Sequence, residues 1–244
     1  MNLKSLFDAW GRAASKEYID RQWLLSKWEV VEGIEWPPEK IQRMIGSIVD
    51  GLRLTSRDIV VDLGCGGGWI LKELKAYSRR MVGLDFSLPM LDNAVAYCPG
   101  ESFVCGEIGK LPLKENSFDC ALSYFVFLNF MDDRFVEQAI LDVVRILKKG
   151  GRALLGQLPD QTRSGAYDQA KAAYLDYCRG QYQFGKDNRD ICRAPQKLFD
   201  MARLADFLRS RNIVYRFEKS FNPFYRPGEP ERVDWRFDLI LEKQ

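Results

Sequence analysis

The chain has 244 residues and no histidine. That absence removes the commonest general base and metal ligand. Ser-His-Asp and Cys-His catalysis cannot be assembled, so a base has to be Asp, Glu, Tyr, Lys, Cys or a water. No two of the six cysteines (Cys65, Cys98, Cys105, Cys120, Cys178, Cys192) have C-x-x-C spacing. No metal site is therefore expected. No apolar run approaches the length of a membrane span. Residues Met1 to Trp10 lack the apolar stretch of a secretion signal, so the expected compartment is the cytoplasm. The cysteines are then reduced, and Cys105 and Cys120, in or beside predicted strands, are expected to pack in the core. Charge of one sign is also missing. Lys and Arg number 36 against 34 Asp and Glu, a net +2. That balance argues against a nucleic-acid-coating protein.

The remaining composition is globular, with 46% hydrophobic and 29% charged residues. A chain of this length buries a core without a disulfide or metal staple. Residues Phe7 to Glu35 carry many aromatics and read as one or two amphipathic helices, ended by Pro37-Pro38. A further helix is predicted from Glu39 to Leu52.

An alternation of strands and helices follows. Strands are predicted at Ile59–Leu63, Arg80–Leu84, Ser102–Cys105, Ser117–Tyr124 and Arg152–Gly156. Helices are predicted at Trp69–Tyr77, Pro89–Tyr97 and Asp132–Leu147, the last closed by Gly150-Gly151. Residues Pro159 to Ala194 interrupt the pattern with Tyr167, Tyr174, Tyr177, Tyr182 and Phe184 among basic residues. They read as an inserted helix and loop. A final helix (Pro195–Ser210) and two closing strands (Ile213–Phe217, Trp235–Glu242) complete the chain. The expected fold is a doubly wound α/β domain: a mostly parallel sheet of seven strands with helices on both faces. One domain over 1–244 is expected, with a helical lid (1–38), a core (39–158), an insertion (159–194) and a closing segment (195–244).

The most informative stretch is Val60-Val61-Asp62-Leu63-Gly64-Cys65-Gly66-Gly67-Gly68. A glycine loop directly after a buried strand lets the backbone turn tightly and approach a ligand. The helix that follows offers free N–H groups. Asp85 ends the next strand, about 20 residues on, where an acid accepts hydrogen bonds from ribose hydroxyls. A dinucleotide site wants G-x-G-x-x-G, but Trp69 stands at the third glycine place. Asp62 before the loop is awkward beside a pyrophosphate and suits a ligand that carries an ammonium group. Both features speak against a nicotinamide oxidoreductase.

These residues resemble a known family. Val61–Gly68 is similar to the first motif of class I S-adenosylmethionine (SAM)-dependent methyltransferases, and Val82–Leu91 to the second. Cys105–Leu113 with Asn116–Asp119 resembles the third block, and Arg145–Gly151 the turn into the next strand. In the third block the family usually has Asp and a small residue, where this chain has Glu107 and Ile108. The resemblance implies a Rossmann-like methyltransferase fold, SAM as cofactor and S-adenosylhomocysteine as product. It implies that Asp62 and the backbone of Gly64, Cys65, Gly66 and Gly68 hold the methionine end. Asp85 holds the ribose, Phe86 and Ile108 sandwich the adenine, and Glu107 meets its amine edge. Ser123 and Tyr124 face the sulfonium, and Tyr124 is the candidate base, beside Tyr167, Tyr174 and Tyr177 of the insertion.

The Asn-Pro-Pro-Tyr motif of methylases acting on planar nitrogens is absent after Ser123-Tyr124-Phe125-Val126. The spacing C-x-x-x-C-x-x-C of radical SAM chemistry is absent too. The expected partner is a small-molecule acceptor, partly apolar, met by a lid holding Trp23, Trp28 and Trp36. The basic insertion (Arg163, Lys171, Arg179, Lys186, Arg189, Arg193) suits negative charge on that acceptor. Two alternatives stand: a SAM-binding regulatory or scaffold protein without catalysis, and an RNA methyltransferase.

Overall fold

The computed structural model describes residues 3–13, 38–181, 196–222 and 230–244. The elements are α1 (Leu3–Ala13), α2 (Pro38–Leu52), β1 (Ile59–Leu63), α3 (Trp69–Leu74), β2 (Arg80–Asp85), α4 (Leu88–Tyr97) and β3 (Ser102–Cys105). Then come β4 (Phe118–Tyr124), α5 (Asp133–Ile146), β5 (Leu147–Pro159), α6 (Ser164–Gln181), α7 (Met201–Ser210), β6 (Val214–Phe221) and β7 (Arg232–Glu242). Among the described residues no helix is long and apolar enough to cross a membrane.

The seven strands form one sheet in the order β3-β2-β1-β4-β5-β7-β6. The first five are parallel, and β7 runs antiparallel to β5 and β6. The period of two along each strand feeds two separate cores. Val61, Leu63, Ala121, Ala153 and Leu155 face one, with Val136, Ile140 and Val143 of α5 and Leu204 and Leu208 of α7. Val60, Cys120, Leu122 and Leu154 face the other, with Ile41, Met44, Ile45 and Ile48 of α2 and Leu71 and Leu74 of α3. Covering both faces is what makes β1 apolar on both sides, with Asp62 near its carboxyl end as the exception. The chain builds outward from β1 to β3, then crosses back to β4. The crevice beyond the carboxyl ends of β1 and β4 is therefore the topological switch point, where open α/β sheets bind ligands.

Several boundaries differ from expectation. The helix α5 stops at Ile146, and Gly150, with φ 75°, lies inside β5 rather than capping the helix. No glycine cap is needed, because Asn116 and Ser117 donate to the carbonyls of Arg145 and Ile146 at 3.2 and 2.8 Å. Helix α3 ends at Leu74 rather than Tyr77. Helix α7 begins at Met201 rather than Pro195, since Asp200 caps it by accepting from the Arg203 N–H. Residue Phe199 instead donates its N–H to Pro159. The closing strands are longer than predicted and start at Val214 and Arg232. Cys120 is buried as expected, whereas Cys105 is exposed, because it ends the edge strand β3. The inserted helix exists as α6. Of the aromatic N-terminal segment, Trp23, Trp28 and Trp36 lie outside the described residues, as do Lys186, Arg189 and Arg193.

Candidate cofactor site

A cavity of about 310 Å³ opens at the switch point. Its walls hold Asp62, the backbone of Gly64–Gly67, Asp85, Phe86, Glu107, Ile108 and Tyr124. Nine of the sequence-derived site residues thus meet around one space: Asp62, Gly64, Cys65, Gly66, Asp85, Phe86, Glu107, Ile108 and Tyr124. Gly68 and Ser123 do not line it. Gly68, with φ 85°, starts α3 and lies against Ala94 and Cys98. Ser123 is fully buried and donates its hydroxyl to the Leu63 carbonyl at 2.8 Å. It ties β4 to β1 and points away from the cavity that Tyr124 lines, because alternate residues of a strand point to opposite faces.

The loop after β1 is left-handed at Gly64 (φ 85°) and Gly66 (φ 51°), a conformation that favours glycine. A Cβ on Gly64 would meet Val126 Cγ2 at 2.5 Å, so this glycine admits the turn after β4. A Cβ on Gly66 would meet nothing within 4 Å. The loop amides of Gly64 and Cys65 donate to the Leu84 carbonyl at 2.7 and 3.0 Å. The Gly66 amide donates to Asp85 Oδ2 at 2.9 Å, and the Ser87 amide to Asp85 Oδ1 at 2.9 Å. The glycine loop is thereby locked onto the acid that ends β2.

Two buried carboxylates face this space. Asp62 is 2% exposed, and its Oδ2 finds no hydrogen-bond partner among the described residues. Burial, and secondarily the charge of Asp85, pushes its carboxyl up to about 8. A buried carboxyl with an unspent oxygen is costly unless a cation or donor meets it. Asp85 is also raised by burial, offset in part by the amides of Ser87 and Gly66. A carboxylate has about four acceptor sites, so Asp85 keeps capacity for a further donor beyond the amides of Ser87, Gly66 and Phe86. The donor set therefore fits SAM: an unspent acid for an ammonium, a second acid for hydroxyls, and an aromatic wall for the base.

That wall includes residues the sequence reading missed. Phe7 and Lys4 of α1 line the cavity, as do Trp69, Met90, Phe125, Val126, Phe130 and Phe135. Phe7 stands edge-on to Phe86, with ring centroids 5.3 Å apart. Phe125 adopts φ 61° just after β4, and Asn129 Nδ2 donates to the Phe125 and Val126 carbonyls, which sets this turn into the cavity. No periodic signal marks Phe125 or Phe130, since they lie in a turn whose path is fixed by those bonds. The Gly106–Leu113 segment, which carries Glu107 and Ile108, is clamped from behind. Asp142 Oδ2 accepts from the Leu111 amide at 2.9 Å, and Arg145 donates to the Leu113 and Leu111 carbonyls.

Tyr124, the candidate base, turns its ring rather than its hydroxyl to the cavity. Its ring lines the cavity, but its hydroxyl is buried behind it and accepts from Gln157 Nε2 at 3.1 Å. Burial, with the charge of Asp238, holds its phenol well above the ordinary tyrosine range. Tyr167 of α6 also faces elsewhere and donates to Gln196 Oε1 at 3.1 Å. The side chains of Tyr174 and Tyr177 lie outside the described residues.

A family model described as a methyltransferase domain matches residues 61–155, the stretch holding the glycine loop, Asp85 and Glu107. The chain is 36% identical over 107 residues to a demethylmenaquinone methyltransferase of Thermotoga maritima, covering 43% of this chain and 45% of that one. It is 30% identical over 99 residues to a malonyl-[acyl-carrier protein] O-methyltransferase of Erwinia billingiae, covering 41% and 38%. The chain thus spans less than half the length of these curated relatives. Among solved structures, a SAM-dependent methyltransferase of Thermotoga maritima superposes with a TM-score of 0.60 at 20% identity, covering 100% of both chains. Residues 61–155, with the glycine loop and Asp85, thus resemble a methyltransferase domain, and the sheet has the fold of the solved methyltransferase on which it superposes.

Proposed function

We propose that the chain is one catalytic domain that transfers a methyl group from SAM to a small, partly apolar acceptor. The observation that carries this reading is the unspent Oδ2 of buried Asp62, beside the glycine loop and Asp85 in one cavity. Bound there, SAM supplies an electrophilic methyl group on a positively charged sulfur. Asp62 takes the ammonium, and Asp85 takes the ribose hydroxyls. Phe86 and Ile108 flank the base, and Glu107 meets its amine edge. Tyr124, Phe125, Phe130 and Phe135 form an apolar wall that excludes water from the reacting end.

Among the described cavity residues, Asp62, Asp85 and Glu107 are taken up by the cofactor in this reading, which leaves no side chain at the reacting end suited to take a proton. Tyr124 is held protonated, and burial raises Cys65 well above the usual thiol range. Catalysis then rests on alignment of acceptor and methyl, which alone supplies a large part of such an acceleration. An acceptor that is nucleophilic without a base fits best. The two curated relatives act, by their names, on demethylmenaquinone and on malonyl-[acyl-carrier protein]. Both are consistent with an acceptor other than nucleic acid. The basic composition of the insertion, with Arg179, Arg189 and Arg193 outside the described side chains, suits negative charge on it. The four cysteines described as free thiols suit a cytoplasmic setting.

Calorimetric titration with S-adenosylhomocysteine, with NAD as control, tests the reading. Wild type should bind the first alone, and Asp85→Ala should lose it. Binding of NAD, or no binding of S-adenosylhomocysteine by wild type, would overturn it.

A further inference from the structure

The helix α1 lies outside the matched methyltransferase stretch, yet it is built into the cofactor site. Its Phe7 is buried against Phe86 and Met90, and Lys4 Nζ donates to the Phe86 carbonyl at 2.8 Å. Its fit on α4 is close. A Cβ on Gly11 would stand 2.7 Å from backbone atoms of Pro89 and Met90, so glycine alone admits this approach. Asn93 Nδ2 donates to the Gly11 carbonyl at 2.8 Å.

The decisive contact is at Ser87. This serine is the N-cap of α4, where a hydroxyl ordinarily accepts from an N–H of the first helical turn. Here its side chain makes no cap bond. It is fully buried and donates instead to Asp8 Oδ1 at 2.6 Å. Its own amide donates to Asp85 Oδ1. Asp8, Ser87 and Asp85 are therefore consecutive links from α1 to the acid at the ribose position. The carboxylate of Asp8 is held low chiefly by that hydroxyl, and is only partly accessible.

We infer that Asp8 is a positioning residue for the cofactor site: through Ser87 it couples docking of α1 to the setting of Asp85. Undocking of α1 frees the Ser87 hydroxyl to cap α4 and removes Phe7 from the cavity wall. The helix is thus a clasp over the nucleoside end, and cofactor exchange requires its release. The inference rests on the cofactor reading given above.

The test is S-adenosylhomocysteine and adenosine binding by calorimetry, with dissociation followed by tryptophan fluorescence, since Trp69 lines the cavity. Asp8→Ala should weaken both ligands about five- to ten-fold, as expected for a hydrogen bond to a charged group. Dissociation should quicken by a similar factor. Asp8→Asn retains an acceptor and should restore most of the affinity. Asp8→Ala made on Ser87→Ala should add nothing further. Gly11→Val undocks α1 without touching the site and should speed dissociation as well. If wild type binds and the Asp8→Ala and Gly11→Val variants release ligand at the wild-type rate, the inference fails. If Asp8→Ala and Ser87→Ala act additively, the link through Ser87 fails. If wild type binds neither ligand, the cofactor reading itself fails.

Discussion

The Tyr124 hydroxyl accepts a hydrogen bond from Gln157 Nε2, on the far side of the ring that walls the cavity. The ring is seated against Gly156, where a Cβ would stand 2.2 Å from Tyr124 Cδ2. Gln157 itself adopts φ 67° at a bulge in β5, and its Nε2 also donates to the Phe221 carbonyl at 2.8 Å. This pair is core architecture, and its contribution to the site is shape.

Tyr124→Phe should therefore leave turnover nearly intact. Gln157 keeps the Phe221 carbonyl, so the loss is one buried hydrogen bond, about 1 kcal/mol of stability. Urea unfolding reads that loss, and S-adenosylhomocysteine affinity should not change. A turnover loss of about a hundredfold, the scale of a missing general base, would show that the hydroxyl acts in chemistry after all.

The role proposed for Asp62 makes cofactor binding pH-dependent. Its carboxyl is raised to about 8 in the empty fold, so it holds a proton near neutrality. An ammonium group favours the ionised form, so binding should release a proton. Affinity should rise with pH toward about 8 and then level off. Stability has the opposite sign. The folded state binds the proton that the unfolded chain has lost, so the contribution of Asp62 is full below its ordinary pKa. It fades as pH rises through about 8. Calorimetry in two buffers of different ionisation enthalpy measures the proton release. Asp62→Asn should abolish it, weaken binding and stabilise the empty protein above neutrality. An unchanged pH profile in Asp62→Asn would refute the assignment.

The sheet and most of the cofactor site were legible because both are local in sequence. The apolar run Ile59–Leu63, the glycines after it and Asp85 at the end of β2 each announce their role within a few residues. What was hidden depends on tertiary contact. The Ser123 and Tyr124 side chains end a correctly predicted strand, but whether a hydroxyl meets Leu63 or the cavity is decided by partners 60 residues away. The Asn116 and Ser117 amides replace a glycine cap at α5, and no local pattern encodes that. A helical lid over 1–38 was readable, but its link to Asp85 was not, for the same reason: Asp8 and Ser87 stand 79 positions apart.

The two left-handed glycines of the loop should separate under substitution. An alanine at either carries left-handed strain of about 1–2 kcal/mol. Only Gly64→Ala adds a clash, 2.5 Å from Val126 Cγ2, whereas the Gly66 position is open. Gly64→Ala should melt lower than Gly66→Ala. Gly66→Ala should keep its fold and lose S-adenosylhomocysteine affinity, since its Cβ enters the cavity edge and its amide holds Asp85. Equal melting temperatures would show that Val126 yields without cost.

The Gly106–Leu113 segment is held from behind by Asp142 and Arg145. Asp142 is 9% exposed and serves two groups at once, the Leu111 amide through Oδ2 and Arg145 Nε through Oδ1. Asp142→Ala leaves the buried Leu111 N–H and the Arg145 Nε without their acceptor, a loss of about 2–3 kcal/mol. Amide hydrogen exchange across 106–113 should quicken while the β1 and β4 amides stay protected. Binding should weaken as well, because Glu107 and Ile108 owe their positions to this segment rather than to a strand. Asp142→Asn keeps one acceptor oxygen and should recover the slow exchange at Leu111. If exchange quickened equally throughout the sheet, the carboxylate would be holding the whole fold together rather than this segment.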